Sequence, residues 1–229
     1  MSSMGAATTD NYANPKSQNE ANSQVTAPRA DRKPRQRLDA DARRAAILES
    51  AAEAFAALPF SEVRISAIAK AAGASDALLY RYFSGKDALY EEVARLAVDD
   101  LAQRQEAALA SLPTGTPARE RIKAATVVYL DFIAENPAAW AMPLQNPGAE
   151  PGAGAAIRAA ARAEQVAALG ALLGPGNDAR RRFALWGFFG FLDAACLRWV
   201  TGGCRANERW PLIEAALGAL EGALGDWAG

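Results

Sequence analysis

The chain has 229 residues, about half of them apolar, with 25 Lys and Arg against 26 Asp and Glu and no histidine. That length suffices to bury a sizeable core, as one large domain or two small ones. The missing histidine excludes the usual general base, the commonest metal ligand and every Ser-His or Cys-His dyad.

Alanine dominates and β-branched residues are sparse, which favours helix almost everywhere. The expected fold class is therefore all-α, with about nine helices. Cys196 and Cys204 do not match zinc spacing, and two thiols suit a reducing cytosol. They read as small packing residues, with a redox sensor as the alternative. No catalytic residue, metal or cofactor is expected, and the chain does not read as an enzyme. The N-terminus lacks the apolar core of a signal peptide. The run Phe183 to Leu192 is short for a bilayer span and is followed by Asp193. A soluble, cytoplasmic protein without a membrane partner is the expectation.

Residues 1–38 are polar and almost free of large apolar side chains, so they cannot offset their own ordering entropy. This extension ends in RADRKPRQR, a basic arm that reads either as a solvated linker or as a phosphate-neutralising segment. Seven of the eight Lys and Arg in residues 1–48 fall between Arg29 and Arg44. The positive charge thus gathers just before the next element, although the net charge is only −1. The first helix is expected from about Ala40 to Leu58, capped by Asp39 or Asp41, with Ile47, Leu48, Ala51 and Phe55 as its buried stripe. Arg43 and Arg44 at its start oppose the helix dipole, a cost that bound phosphate offsets.

Residues 61–93 organise the chain. Ile65, Ile68, Ala69 and Ala72 give a short helix one apolar face. Gly73 permits the left-handed angles of a sharp reversal, and Ser75 can cap the helix that follows. In that helix Leu79 and Phe83 pack inward, leaving Asp76, Ala77, Tyr80, Arg81 and Tyr82 outside. Two short helices about a glycine turn, the second with an exposed polar and aromatic face, describe a helix-turn-helix.

The pattern IAKAAGAS followed by LYRYFSGKDAL resembles the DNA-binding domain of tetracycline-repressor-like (TetR/AcrR) regulators over about residues 42–93. The remaining chain resembles that family only in length and helical character. The resemblance implies a DNA-binding domain at 39–88 and a helical effector-binding and dimerisation domain at 89–229. It also implies that the helix from Asp76 to Phe83 enters the major groove. Tyr80 would meet a thymine methyl or a phosphate, Arg81 a guanine edge and Tyr82 a phosphate, with Ser66 reaching from the preceding helix. Arg43, Ser75, Asp76, Ala77 and Leu78 complete the candidate interface. Asp76 and Leu78 depart from the cation and threonine that relatives often carry, which bears on operator sequence. Lys86 stands in the first turn of the next helix, where a cation opposes the dipole and free N–H groups attract phosphate.

That next helix is expected to run from Lys86 to about Leu112 and to join the two regions. Pro113, Gly115 and Pro117 interrupt it, and a further helix from Ala118 to Glu135 buries Ile122, Val127, Leu130 and Ile133. A short helical stretch after Asn136-Pro137 gives way to loop, and helix resumes near Ala155. The last two helices, Asp178 to about Thr201 and Asn207 to Trp227, carry more apolar surface than one small domain covers. By resemblance they pair with a second copy as a four-helix bundle. Phe132, Trp140, Met142, Gln165, Trp186, Phe189 and Asp193 are the candidate lining of an effector pocket. The expected function is a regulator, most simply a repressor, that binds a palindromic double-stranded operator as a homodimer and is released by a small-molecule effector. The alternative is a helical architectural DNA-binding protein without an effector.

Overall fold

The computed structural model describes residues 40–176 and 178–225. The basic arm, Asp39 and Trp227 lie outside them. Among the described residues the fold is all-α: α1 Ala40–Ala57, α2 Ile65–Ala71, α3 Asp76–Tyr82, α4 Lys86–Ala110, α5 Ala118–Glu135, α6 Pro137–Gln145, α7 Gly152–Leu172, α8 Ala179–Thr201 and α9 Ala206–Leu224.

The first core forms around α1, whose Ile47, Leu48, Ala51 and Phe55 are buried as their spacing demands. Pro59 follows the helix end, and a 3₁₀ turn at Phe60–Glu62, not anticipated from the sequence, leads to α2. Ile68 and Ala69 of α2, Leu79 of α3, Phe83 and Leu89 of α4 close this core. The turn between α2 and α3 is a Schellman motif. Gly73 takes φ +64°, its N–H donates to the Lys70 carbonyl, and the Ala74 N–H donates to the Ala69 carbonyl at 2.8 Å. The Ser75 side chain then accepts from the Leu78 N–H at 3.2 Å and caps α3.

The second core lies among α4, α5, α7, α8 and α9, with Ile122, Leu130, Ile133, Leu192, Ile213 and Leu217 almost fully enclosed. Helix α4 belongs to both cores: Leu89 near its start is in the first and Leu101 in the second. Helix α7 begins at Gly152, not near Ala155, because Pro151 supplies an extended residue just before the first turn. Asp178 caps α8 by accepting from the Arg181 N–H at 2.9 Å.

By length and composition α8 is apolar enough to cross a membrane. It packs along α9 and also meets α5, α6 and α7, and its Asp193 forms an ion pair with Arg162 at 2.7 Å. Coverage on more than one side was the expectation for so apolar a helix. In the single chain one side stays open: Phe183 is 78% exposed and Trp186 51%, with Gly187 and Gly190 on the same face. Nothing approaches within 4 Å of a Cβ placed on either glycine.

Candidate nucleic-acid interface and effector cavity

The outward face of α3 is built by the two residues it turns inward. Leu79 is fully buried and Phe83 nearly so, which fixes the rotation of a helix only seven residues long. Ser75, Asp76, Ala77, Tyr80 and Arg81 are consequently exposed, Leu78 and Tyr82 half-buried, and Ser66 is exposed on α2. Tyr80, at 55% exposure, is a large aromatic with no intramolecular cover to explain it. Lys70 and Arg64, also exposed, add positive charge beside this face. Neither stood out in the sequence, where isolated cations on a short helix look like ordinary surface.

The two arginines at the start of α1 are held differently from a pair awaiting phosphate. Arg44 donates to Glu92 of α4 at 2.7 Å, and its guanidinium lies 5.3 Å from the Phe83 ring centre. That hydrogen bond, with the neighbouring positive charges of Arg44 and Arg95, holds the Glu92 carboxyl below its usual range despite some burial. Arg43 is half-buried on the same turn.

Lys86 requires a correction. Its ammonium does not turn out beside the N-terminal N–H groups of α4. It donates to the carbonyls of Phe60 at 2.7 Å and Val63 at 3.0 Å, and lies 4.3 Å from the centre of the Phe60 ring. The cause is the 3₁₀ turn, which points two carbonyls at the start of α4. A lysine with two of its three N–H groups engaged braces the joint between α1, α2 and α4.

Beyond Lys86, Tyr90 ties the first core to α7. Its ring packs edge-on against Phe55 and Phe60. Its hydroxyl donates to Glu150 at 3.0 Å and accepts from Arg158 at 2.7 Å, while Arg158 and Glu150 form an ion pair. Gly154 is buried against the edge of the Tyr90 ring, where a methyl group would not fit.

A cavity of about 490 Å³ opens among α4, α5, α7 and α8. Of the seven candidate residues, Gln165 and Phe189 line it. The other five candidates lie elsewhere. Trp186 points out from the open side of α8. Met142 borders a small crevice near Phe60 and Tyr90. Phe132 packs on the second core, 6.0 Å beneath the Arg104 guanidinium. Trp140 and Asp193 sit one bond behind the wall: Tyr129, which does line the cavity, accepts from the Trp140 indole at 3.0 Å and donates to Asp193 at 3.4 Å. Burial pushes the Tyr129 phenol and the Asp193 carboxyl up, the latter against the pull of Arg162.

Gln105, Thr126 and Tyr129 also line the cavity, although no motif in the sequence marks them out. Thr126 is a polar residue within the buried stripe of α5, a signal that was present but looks like a satisfied core hydroxyl; it does bond the Ile122 carbonyl at 2.8 Å. Burial also pushes the Cys196 thiol up to about 12 and raises that of Cys204, so both stay protonated at neutral pH.

Comparison with known proteins agrees with this geometry. The family model for bacterial regulatory proteins of the tetR family matches residues 47–93. An HTH-type transcriptional activator, FasR of Mycolicibacterium smegmatis, is 34% identical over 110 residues, 48% of this chain and 49% of that protein. The chain therefore matches about half the length of this curated relative. A tetR-family transcriptional regulator from Streptomyces coelicolor superposes with TM-score 0.65 at 25% identity, over 81% of this chain and 80% of that one. The regulator FadR from Bacillus subtilis, solved in complex with stearoyl-CoA, superposes with TM-score 0.62 at 18% identity, over 80% and 98%. The last is a likeness of fold alone. The helix-turn-helix with its outward α3 thus matches the tetR-family model over residues 47–93, and the helices that follow share the fold of solved tetR-family regulators.

Proposed function

We propose that this regulator binds a palindromic operator as a homodimer and is released from it by a small apolar effector. The observation that carries the reading is the exposed face of α3, held out by the burial of Leu79 and Phe83. In the groove, Arg81 pairs with a guanine edge and Tyr80 packs on a thymine methyl or bonds a phosphate. Tyr82, Arg43 and Ser75 position the helix on the backbone, and Ser66 reaches towards a base edge from α2. Asp76, Ala77 and Leu78 set which base pairs fit, while Lys86 braces the helices behind them.

The open sides of α8 and α9 supply the dimer interface. Phe183, Trp186, Phe191 and Trp210 are exposed large hydrophobics on these two helices, and glycines 187, 190, 218 and 222 leave room for a partner helix. Such a dimer sets the two α3 helices about 34 Å apart, one turn of duplex. The 490 Å³ cavity is within the range of small-molecule sites. An effector that prefers a conformer with altered α4 and α7 lowers operator affinity by its differential affinity for the two states. Where the operator overlaps a promoter, the outcome is repression, relieved by the effector. The protein then works in the cytoplasm, with no cofactor and no catalysed reaction, and the domain boundary falls near residue 88. The architectural alternative leaves the cavity without a role.

Retention of the purified chain on duplex DNA, measured against salt and against added apolar ligands, tests the reading. It predicts salt-sensitive, sequence-selective retention that a saturating ligand abolishes. Equal retention on all sequences, unaffected by any ligand, contradicts it.

A further inference from the structure

The polar groups on the cavity wall restrict which effector fits, given that the cavity is the effector site. Two glutamines carry this restriction, and in each the amide orientation is dictated by its neighbour. Gln105 donates its amide N–H to the Ala125 carbonyl at 3.0 Å, so its side-chain oxygen is left to accept. Gln165 accepts from Arg162 at 3.2 Å, so its NH₂ group is left to donate. Of the other uncharged polar lining, the Tyr129 hydroxyl both accepts and donates, and the Thr126 hydroxyl donates to the backbone and keeps only acceptor capacity. Arg162 and Asp193 neutralise each other one layer back.

The charges that border the cavity are Glu106 of α4, Glu164 of α7 and Arg121 of α5, a balance of −1. None of the three has an ion-pair or hydrogen-bond partner among the described residues. The rest of the lining is mainly alanine, leucine and phenylalanine.

We infer that the effector is an uncharged amphiphile, an apolar chain or ring system bearing one hydroxyl or primary amide. Such a group both gives and accepts, and so can use either glutamine. A carboxylate only accepts, leaves the Gln105 carbonyl unpaired and brings negative charge towards Glu106 and Glu164, of which Arg121 offsets one. An acyl-CoA, such as the stearoyl-CoA bound by the Bacillus subtilis regulator, adds a polyanion at the same place. An unpaired buried acceptor and a like charge both disfavour binding.

Calorimetric titration of the full chain with ligands sharing one twelve-carbon chain tests this, since apolar burial is then constant. The probes are dodecanamide, dodecan-1-ol, dodecanoate, dodecanoyl-CoA and dodecyltrimethylammonium, each below its micellar concentration. The amide and alcohol should bind about tenfold or more tightly than the acid and thioester, with the gap narrowing in high salt because Glu106 and Glu164 are exposed. Gln105→Leu and Gln165→Leu should each weaken amide binding towards that of the acid. Dodecanoate or its CoA thioester binding as tightly as the amide overturns the inference while leaving the cavity as the effector site. Tightest binding of the ammonium overturns it too, in favour of an acid-dominated site. Saturable binding by none of the five overturns the assignment of the cavity itself.

Discussion

Lys86 shows how one side chain changes meaning between sequence and structure. In the sequence it is a cation at a helix N-terminus, where about 0.3–1 kcal/mol of unfavourable dipole interaction suggests an absent anion. In the fold the Phe60 and Val63 carbonyls and the Phe60 ring take that role. Lys86→Met keeps the aliphatic stem and removes both bonds, so it should destabilise the protein by about 1–3 kcal/mol, measured by urea denaturation. No change in stability would show that the two carbonyls are satisfied without it. The Arg44–Glu92 pair makes a pH-dependent contribution. The Glu92 carboxyl is held below its usual range, chiefly by the Arg44 hydrogen bond. Its stabilisation is therefore present above the ordinary glutamate pKa and is lost as pH falls through the lower, folded value. Melting temperatures of wild type and Glu92→Gln should differ at neutral pH and converge in acid, with a small gap because the pair is partly exposed. A constant gap across that range would contradict the assignment. Neither bond was legible in the sequence, since Arg44 and Glu92 are 48 residues apart and the 3₁₀ turn leaves no periodic trace.

At the scale of elements, the helices themselves were legible because their apolar stripes are clean. Ile47, Leu48, Ala51 and Phe55 in α1, and Ile213, Ala216, Leu217 and Leu220 in α9, are buried as their spacing required. The glycine turn and the serine cap of α3 were readable for a similar reason, since each depends on a single residue type at one position. What periodicity does not show is which helices meet, and so the cavity stayed largely hidden. Its wall takes alanines, larger apolar residues and polar residues from α4, α5 and α7, and Phe188, Phe189 and Leu192 from α8, a set with no spacing in common. The link from α7 to the first core was hidden likewise. Tyr90, Glu150 and Arg158 come together only in the fold, and Gly154 is small because the Tyr90 ring lies against it. Gly154→Ala should push the ring aside, at a cost of about 1–3 kcal/mol by overpacking. Because α7 lines the cavity, this change should also alter how strongly a ligand reduces DNA binding. Scanning calorimetry and ligand titration of DNA affinity check the two parts; wild-type values in both would mean that Tyr90 is not a coupling element.

For the whole molecule, the proposed dimer joins an exposed apolar face to a symmetric mode of DNA recognition. The sequence indicated surplus apolar surface on the last two helices, and the structure leaves Phe183 and Trp186 uncovered along one side of α8. If a second copy covers that side, Trp186→Glu should yield a folded monomer, with unchanged helix content by circular dichroism and half the mass by sedimentation. Operator affinity should fall by at least a hundredfold, since loss of the dimer removes the second recognition helix. The central claim is that the exposed face of α3 reads a duplex groove. Footprinting of wild type, Tyr80→Ala and Arg81→Ala on the operator, with dimer mass verified for each, tests it most directly. The account predicts two protected half-sites about one helical turn apart for wild type, and selective protection lost in both variants while dimerisation persists. Wild-type protection by both variants would mean that α3 does not read the DNA.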